Sequence, residues 1–456
     1  MTTFRNIPFA RLAATAAIGA LMLAGATAPA LADKTKIDFW FGNQGDIAQR
    51  VQDVCKHFNE SQSDYEVVCT SQQGYANALQ NTIAAFRAGK QPTVVQIFDI
   101  GTLDLMLSGA YYPVNKLMAD NGYKIDWNDY LGGVRSYYAT SKGDMLSMPF
   151  NSSTALLYWN QDAFKKIGKD AAPKTWEEAA DDMKALKAAG YDCPMGIDVS
   201  HDEVWQLMEQ FSATENQPVA SLNNGYDGLG AELVFNKTSF VKFVTDLKKW
   251  YDDGLVKLKS AQAGEDYVAA FADGHCQMTL TSVGDHGQIS RTASPDMHWS
   301  VAEYPIYAGA ERKNSLVGGA SLWVLQGKSP AEYKAAAAFL NFIAQPEQAL
   351  WWSSNTGYIP VTKTGYDFMV KNGFYDKAPY KGREAAIQSL TASDPTPITR
   401  GLRLGGMPQI RQEVGNALQA IFANQTSVQQ GLDDAVARGN TVLRRFELTY
   451  KGKQLP

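Results

Sequence analysis

Three short apolar runs, Lys36–Trp40, Tyr65–Cys69 and Val94–Phe98, alternate with two helical stretches, Ile47–Ser61 and Ala76–Lys90. In the first stretch Val51, Val54 and Phe58 recur at helical spacing. In the second Leu79, Ile83 and Phe86 do, and Gly89 and Pro92 end it. This β-α-β-α-β order leaves few folds open. Strands joined through helices run parallel, and the helices cover both faces of their sheet. The expected fold class is therefore α/β. In such open sheets ligands sit at the carboxyl ends of the strands. Tyr75, just before a helix start, and Asp99, just past a strand end, fall at that rim. Asp99 is equally suited to cap the next helix.

The stretch Ser147–Asn160, SMPFNSSTALLYWN, has a different character. Pro149 breaks what precedes it, Ser152, Ser153 and Thr154 follow, and Ala155–Trp159 is apolar and aromatic. The apolar part reads as a strand buried on both faces, entered through a hydroxyl cluster that suits a small polar ligand. We read it as a crossing between two lobes. A second α/β series follows it. Thr175–Glu178 and Ser329–Glu332 have the form of capping boxes. Trp299–Tyr304 is a candidate second crossing, and the extended run 355–362, containing Tyr358, a third. Gly318 and Gly319 lie side by side inside a strand, which marks a bulge or a close approach of backbone to something else. The loop 399–411, TRGLRLGGMPQIR, is rich in glycine and arginine and leads into a helix. Its amides and helix dipole favour an anion, to which Arg403 could add a bidentate contact.

Length and charge narrow the function. Arg5 and Arg11 precede the apolar run Leu12–Ala26, and Ala30–Ala32 is a small-x-small cleavage site. Residues 1–32 are read as a secretory signal peptide cleaved after Ala32, so an exported, periplasmic protein is expected. The remainder exceeds one comfortable core and implies two domains. Without the leader the chain is more acidic than its formal −5, which argues against nucleic acid. Cys55, Cys69, Cys193 and Cys276 suit an oxidising compartment; Cys55 with Cys69 and Cys193 with Cys276 is one of three connectivities left open. No H-E-x-x-H, G-x-S-x-G or P-loop occurs, and the cluster Asp198, His201, Asp202 matches no metal loop. Neither catalysis, a cofactor nor a metal is expected.

IAAFRAG (83–89), PFNSST (149–154), YWNQDAFKKIG (158–168), PKTWEE (173–178), GGASLWVLQGK (318–328), TGYIPVTK (356–363) and GLRLGGMPQIR (401–411) together resemble the extracellular solute-binding proteins of ABC importers. That family includes maltose-binding protein, and the likeness is strongest to its periplasmic glycerol-3-phosphate-binding group. The resemblance implies a two-lobed periplasmic binding protein fold of type II, with crossing hinge segments and closure like a flytrap. Residues 33–150 with 308–358 would form one lobe, and 151–307 with 359–456 the other. It implies ligand contacts from Tyr75, Asp99, Ser153, Ser282, Gly319, Tyr358 and Arg403. Well-known members carry two cleft tryptophans three residues apart; here the second is Trp205 and the first position is Asp202. That change points to a glycerophosphodiester such as glycerophosphocholine, with choline against Trp205 near Asp202. The expected partners are this ligand and the permease subunits, and the protein is expected to be a monomer. A sugar-binding protein of the same class, and a secreted phosphodiester hydrolase, are the alternatives.

Overall fold

The computed structural model describes residues 34–259 and 264–456. The leader and its cleavage site lie outside the described residues. The chain opens with strands β1 (Thr35–Phe41), β2 (Tyr65–Ser71), β3 (Val94–Phe98), β4 (Tyr111–Tyr112) and β5 (Met148–Ser153). It continues through β6 (Ala155–Asn160), β7 (Met195–Asp198), β8 (Val256–Lys259), β9 (Met278–Ser282) and β10 (Trp299–Ala302). Strand β11 (Gly318–Leu325) comes last. The first sheet has the order β2-β1-β3-β11-β4, with β5 pairing β11; the second is β10-β6-β9-β7-β8. β1 runs parallel to β2 and β3, and β7 parallel to β8 and β9, as strands joined through helices must.

Every residue of β6 is buried, as the uninterrupted apolar run requires. β5 belongs to the first sheet and β6 to the second, so the chain changes lobe within one residue, Thr154. Two other segments lean on this point. Thr154 Oγ1 is 2.8 Å from Ser315 Oγ, in the segment leading back to the first sheet. Ile359 N donates to Ser152 O at 3.0 Å. Two crossings differ from expectation. Trp299–Ala302 is an edge strand of the second sheet, paired with β6, and the chain crosses after it, between residues 303 and 317. Asn355 still belongs to helix Pro346–Asn355, and 356–362 is non-helical with bridges at Ile359 and Thr362, but helix Lys363–Lys371 packs back on Pro346–Asn355, and the chain reaches β6 only with Glu384–Leu390.

The cysteines pair as Cys55–Cys69 and Cys193–Cys276, with Cα separations of 6.5 and 4.6 Å. The long tail helices Met407–Phe422 and Val428–Thr449 pack on each other and on Phe240–Asp252. Ser427 caps the second by accepting from Gln430 N.

Candidate functional site

Strand register builds the site. Ser153 pairs with Gly318 and Ser152 with Gly319 across β5 and β11, and Ala155 pairs with Ser282 across β6 and β9. Three serines and two glycines, drawn from both sheets, thus converge on the Thr154 crossing. Around them opens a cleft of about 550 Å³, within the usual range of small-molecule sites. It is lined by Tyr75, Asp99, Ser153, Asp202, Trp205, Ser282, Gly319 and Tyr358, eight of the nine residues singled out in the sequence.

Arg403 is the exception. Its guanidinium faces away from the cleft, donating to Ala139 O at 2.6 Å and lying against the Tyr226 ring and Met106 sulfur. The loop that carries it is pinned by these contacts, and Arg403 does not line the cleft. Arg411, eight residues on and on the buried face of its helix, lines the cleft instead. Its Nε and one terminal nitrogen donate to Glu209 at 2.6 and 2.8 Å, and the latter lies 3.5 Å from Asp99. Burial opposes its charge, but Glu209 and Asp99 outweigh burial and hold the guanidinium protonated.

The floor is a buried amide network. Gln96 Nε2 donates to Asn43 Oδ1 (2.7 Å) and Asn151 Oδ1 (2.8 Å), and both asparagines donate to the Tyr75 hydroxyl at 2.8 Å. Asn43 also reaches the Tyr358 hydroxyl at 3.5 Å. Tyr75 stacks on Phe98 and Tyr358 on Trp352. Burial pushes both phenols up, so each keeps its proton. Ser153 is 3% exposed, and its Oγ bonds no described residue. Ser282 Oγ accepts from Gly284 N at 3.0 Å. Asp99 opens a short 3-10 turn and does not cap the helix that follows, whose N-cap position is Gly101. Asp202 is exposed and lies 3.2 Å from His201 Nε2.

The sequence reading missed Asn43, Gln96, Asn151, Glu209, Glu203 and Asp285. Asn43 was reachable by the strand-end rule, since it follows β1. Nothing in the sequence separates Glu203 and Asp285 from other acids.

Several acids here are protonated more readily than usual. Burial raises Asp99 and Asp285 to about 6, Asp104 to about 7 and Glu203 to about 8. Each binds its proton more tightly folded than unfolded. Their stabilising contribution is complete at pH below the ordinary carboxyl value and is lost as pH rises through the folded values. Buried His286, whose value is depressed, works the other way, but it is one group against four. The ligand-free protein should therefore lose stability from about pH 5 to 8. Thermal midpoints at pH 5, 6.5 and 8 check this; a midpoint that climbs would contradict it.

Two α/β lobes, two chain crossings that meet at Thr154 and Ser315, and a polar cleft between the lobes define a solute-binding protein. The chain belongs to the bacterial extracellular solute-binding protein family, whose model matches residues 53–379. It is 40% identical over 423 residues to the sn-glycerol-3-phosphate-binding periplasmic protein UgpB of Yersinia enterocolitica, covering 91% of this chain and 94% of that one. It is 40% identical over 420 residues to UgpB of Escherichia coli K12, with the same coverage. Among solved structures, UgpB from Mycobacterium tuberculosis in complex with glycerophosphocholine superposes with a TM-score of 0.74 at 20% identity, covering 91% and 99% of the two chains. Maltose-bound MalE3 of T. maritima gives 0.72 at 17% identity, covering 89% and 99%.

Proposed function

We propose that this protein captures glycerol-3-phosphate or a glycerophosphodiester, such as glycerophosphocholine, and delivers it to the permease of an ABC importer in the periplasm. The observation that carries the reading is Arg411, a buried guanidinium lining the same cleft as Ser153, whose hydroxyl bonds no described residue. A fixed cation flanked by hydroxyl donors and the Gly319 backbone suits a phosphate. Asp99, Tyr75 and Tyr358 then read the glycerol hydroxyls. The 40% identical relatives carry the same ligand in their names. Closure of the lobes on the ligand would shift the protein to the form a permease recognises. The protein acts by binding and release, without a chemical step.

The test is calorimetric titration of refolded, ligand-free protein with glycerol-3-phosphate, glycerophosphocholine and maltose. Binding of either phosphate compound with a 1:1 stoichiometry is expected. Binding of maltose alone would overturn the reading in favour of a sugar receptor.

A further inference from the structure

The cleft holds more carboxyl groups than a phosphate ligand can use. Asp99, Asp202, Glu203 and Asp285 all line it, against Arg411. Arg411 is already matched by Glu209 and Asp99. Glu203 and Asp285 lie at a corner, because both also line a side chamber of about 190 Å³. A water's share of liquid volume is about 30 Å³, so the chamber has room for a short head group.

The cations near this corner are spoken for. Lys259, on the chamber wall, pairs with Asp198 at 3.3 Å. Asp285 has a neutral partner, the Thr281 hydroxyl, at 2.5 Å. Glu203 accepts from the neutral Gln206 amide. Gln206 lines the same chamber, is 2% exposed, and its Oε1 accepts from no described residue. Burial and neighbouring carboxylates push Glu203 and Asp285 up, and Arg411 and Lys259 offset this only in part.

We propose that this corner is a head-group subsite for a primary ammonium, and that Glu203 and Asp285 select it. The inference rests on the glycerol-phosphate reading above and names the ligand's other end. A primary ammonium has three N–H donors and needs acceptors. Glu203, Asp285 and Gln206 Oε1 supply them. A quaternary ammonium has no N–H and is held by aromatic faces. Here Trp205 offers one such face, and its former neighbour's position is Asp202, which is exposed and turned to His201. The ligand that fits both ends of the cleft is a zwitterion, its phosphate at Arg411 and its ammonium at the corner.

The experiment is calorimetry on refolded full-length mature protein with three probes: glycerol-3-phosphate, glycerophosphocholine and glycerophosphoethanolamine. The ethanolamine diester should bind about tenfold more tightly than the choline diester, the worth of one charge-assisted hydrogen bond. Glu203→Gln and Asp285→Asn should each weaken the ethanolamine diester about tenfold and bring the ratio near one. Because each change replaces an acid that its surroundings already drive toward the neutral form with a neutral isostere, both variants should melt at or above the parent temperature, which guards against misfolding as the cause. Equal or tighter binding of the choline diester by the parent would overturn the inference alone. So would a ratio that both variants leave unchanged. Failure of all three probes to bind would overturn the glycerol-phosphate reading and this inference with it.

Discussion

Replacing Arg411 with methionine should weaken glycerol-phosphate binding more than about 100-fold and cost about 3–5 kcal/mol of stability. The two effects have separate causes. The ligand loses its charged phosphate partner, and truncating one side of a buried charge pair typically costs binding at least about 2–5 kcal/mol. The fold loses the cation between Glu209 and Asp99, both nearly fully buried. Glu209 then stands uncompensated, which is where the stability goes. The double variant Arg411→Met with Glu209→Gln separates them. Removing the stranded carboxylate should restore most of the stability while leaving binding lost. Arg411→Lys keeps a charge but not the fork that spans both Glu209 oxygens, so it should fall between. Calorimetry and urea unfolding read the two quantities. Retained affinity in the single variant would remove Arg411 from the site.

That prediction concerns an arginine the sequence presented beside two others. Arg400, Arg403 and Arg411 lie within one Gly-rich loop and the helix it opens, and charge alone does not rank them. Helix phase does: Arg411 shares the buried face with Val414 and Leu418, and a cation on an apolar stripe needs a reason to be there. Arg403 sits among glycines with no periodicity. Its direction is set by tertiary contacts, the Ala139 carbonyl and the Tyr226 ring. The strands and the Thr154 crossing were legible because a buried strand leaves a continuous apolar run and a lobe crossing leaves a polar interruption. Ile83 shows the limit of periodicity: spacing puts it with Leu79 on one face, yet it is exposed while Thr82 is buried. The amide floor of Gln96, Asn43 and Asn151 left no pattern, because it is assembled from the interiors of β3 and β5 and the turn after β1, far apart in sequence. The disulfides were open for the same reason, since spacing does not report distance across a sheet.

The glycine pair tests how tightly that floor is tied to the crossing. Gly319→Ala should cost about 2–6 kcal/mol, whereas Gly318→Ala should cost at most about 1.5 kcal/mol. Gly319 has φ +106°, which L side chains rarely adopt, and an added Cβ would fall 1.9 Å from the Asn151 carbonyl oxygen. The backbone of β5 would have to move. Asn151 holds the Tyr75 hydroxyl and accepts from Gln96, so the displacement should reach the floor of the cleft and weaken ligand binding as well. At Gly318 the methyl would meet only side-chain atoms, Ser153 Oγ at 3.3 Å and the Trp205 ring at 3.4 Å. That change should narrow the site while leaving the sheet intact. The neighbouring variants therefore predict opposite patterns: stability and binding lost together at 319, binding alone at 318. Urea unfolding with calorimetry on both distinguishes them. If Gly319→Ala proved as stable as Gly318→Ala, β5 would have room to shift, and the crossing would be looser than the contact with Asn151 implies.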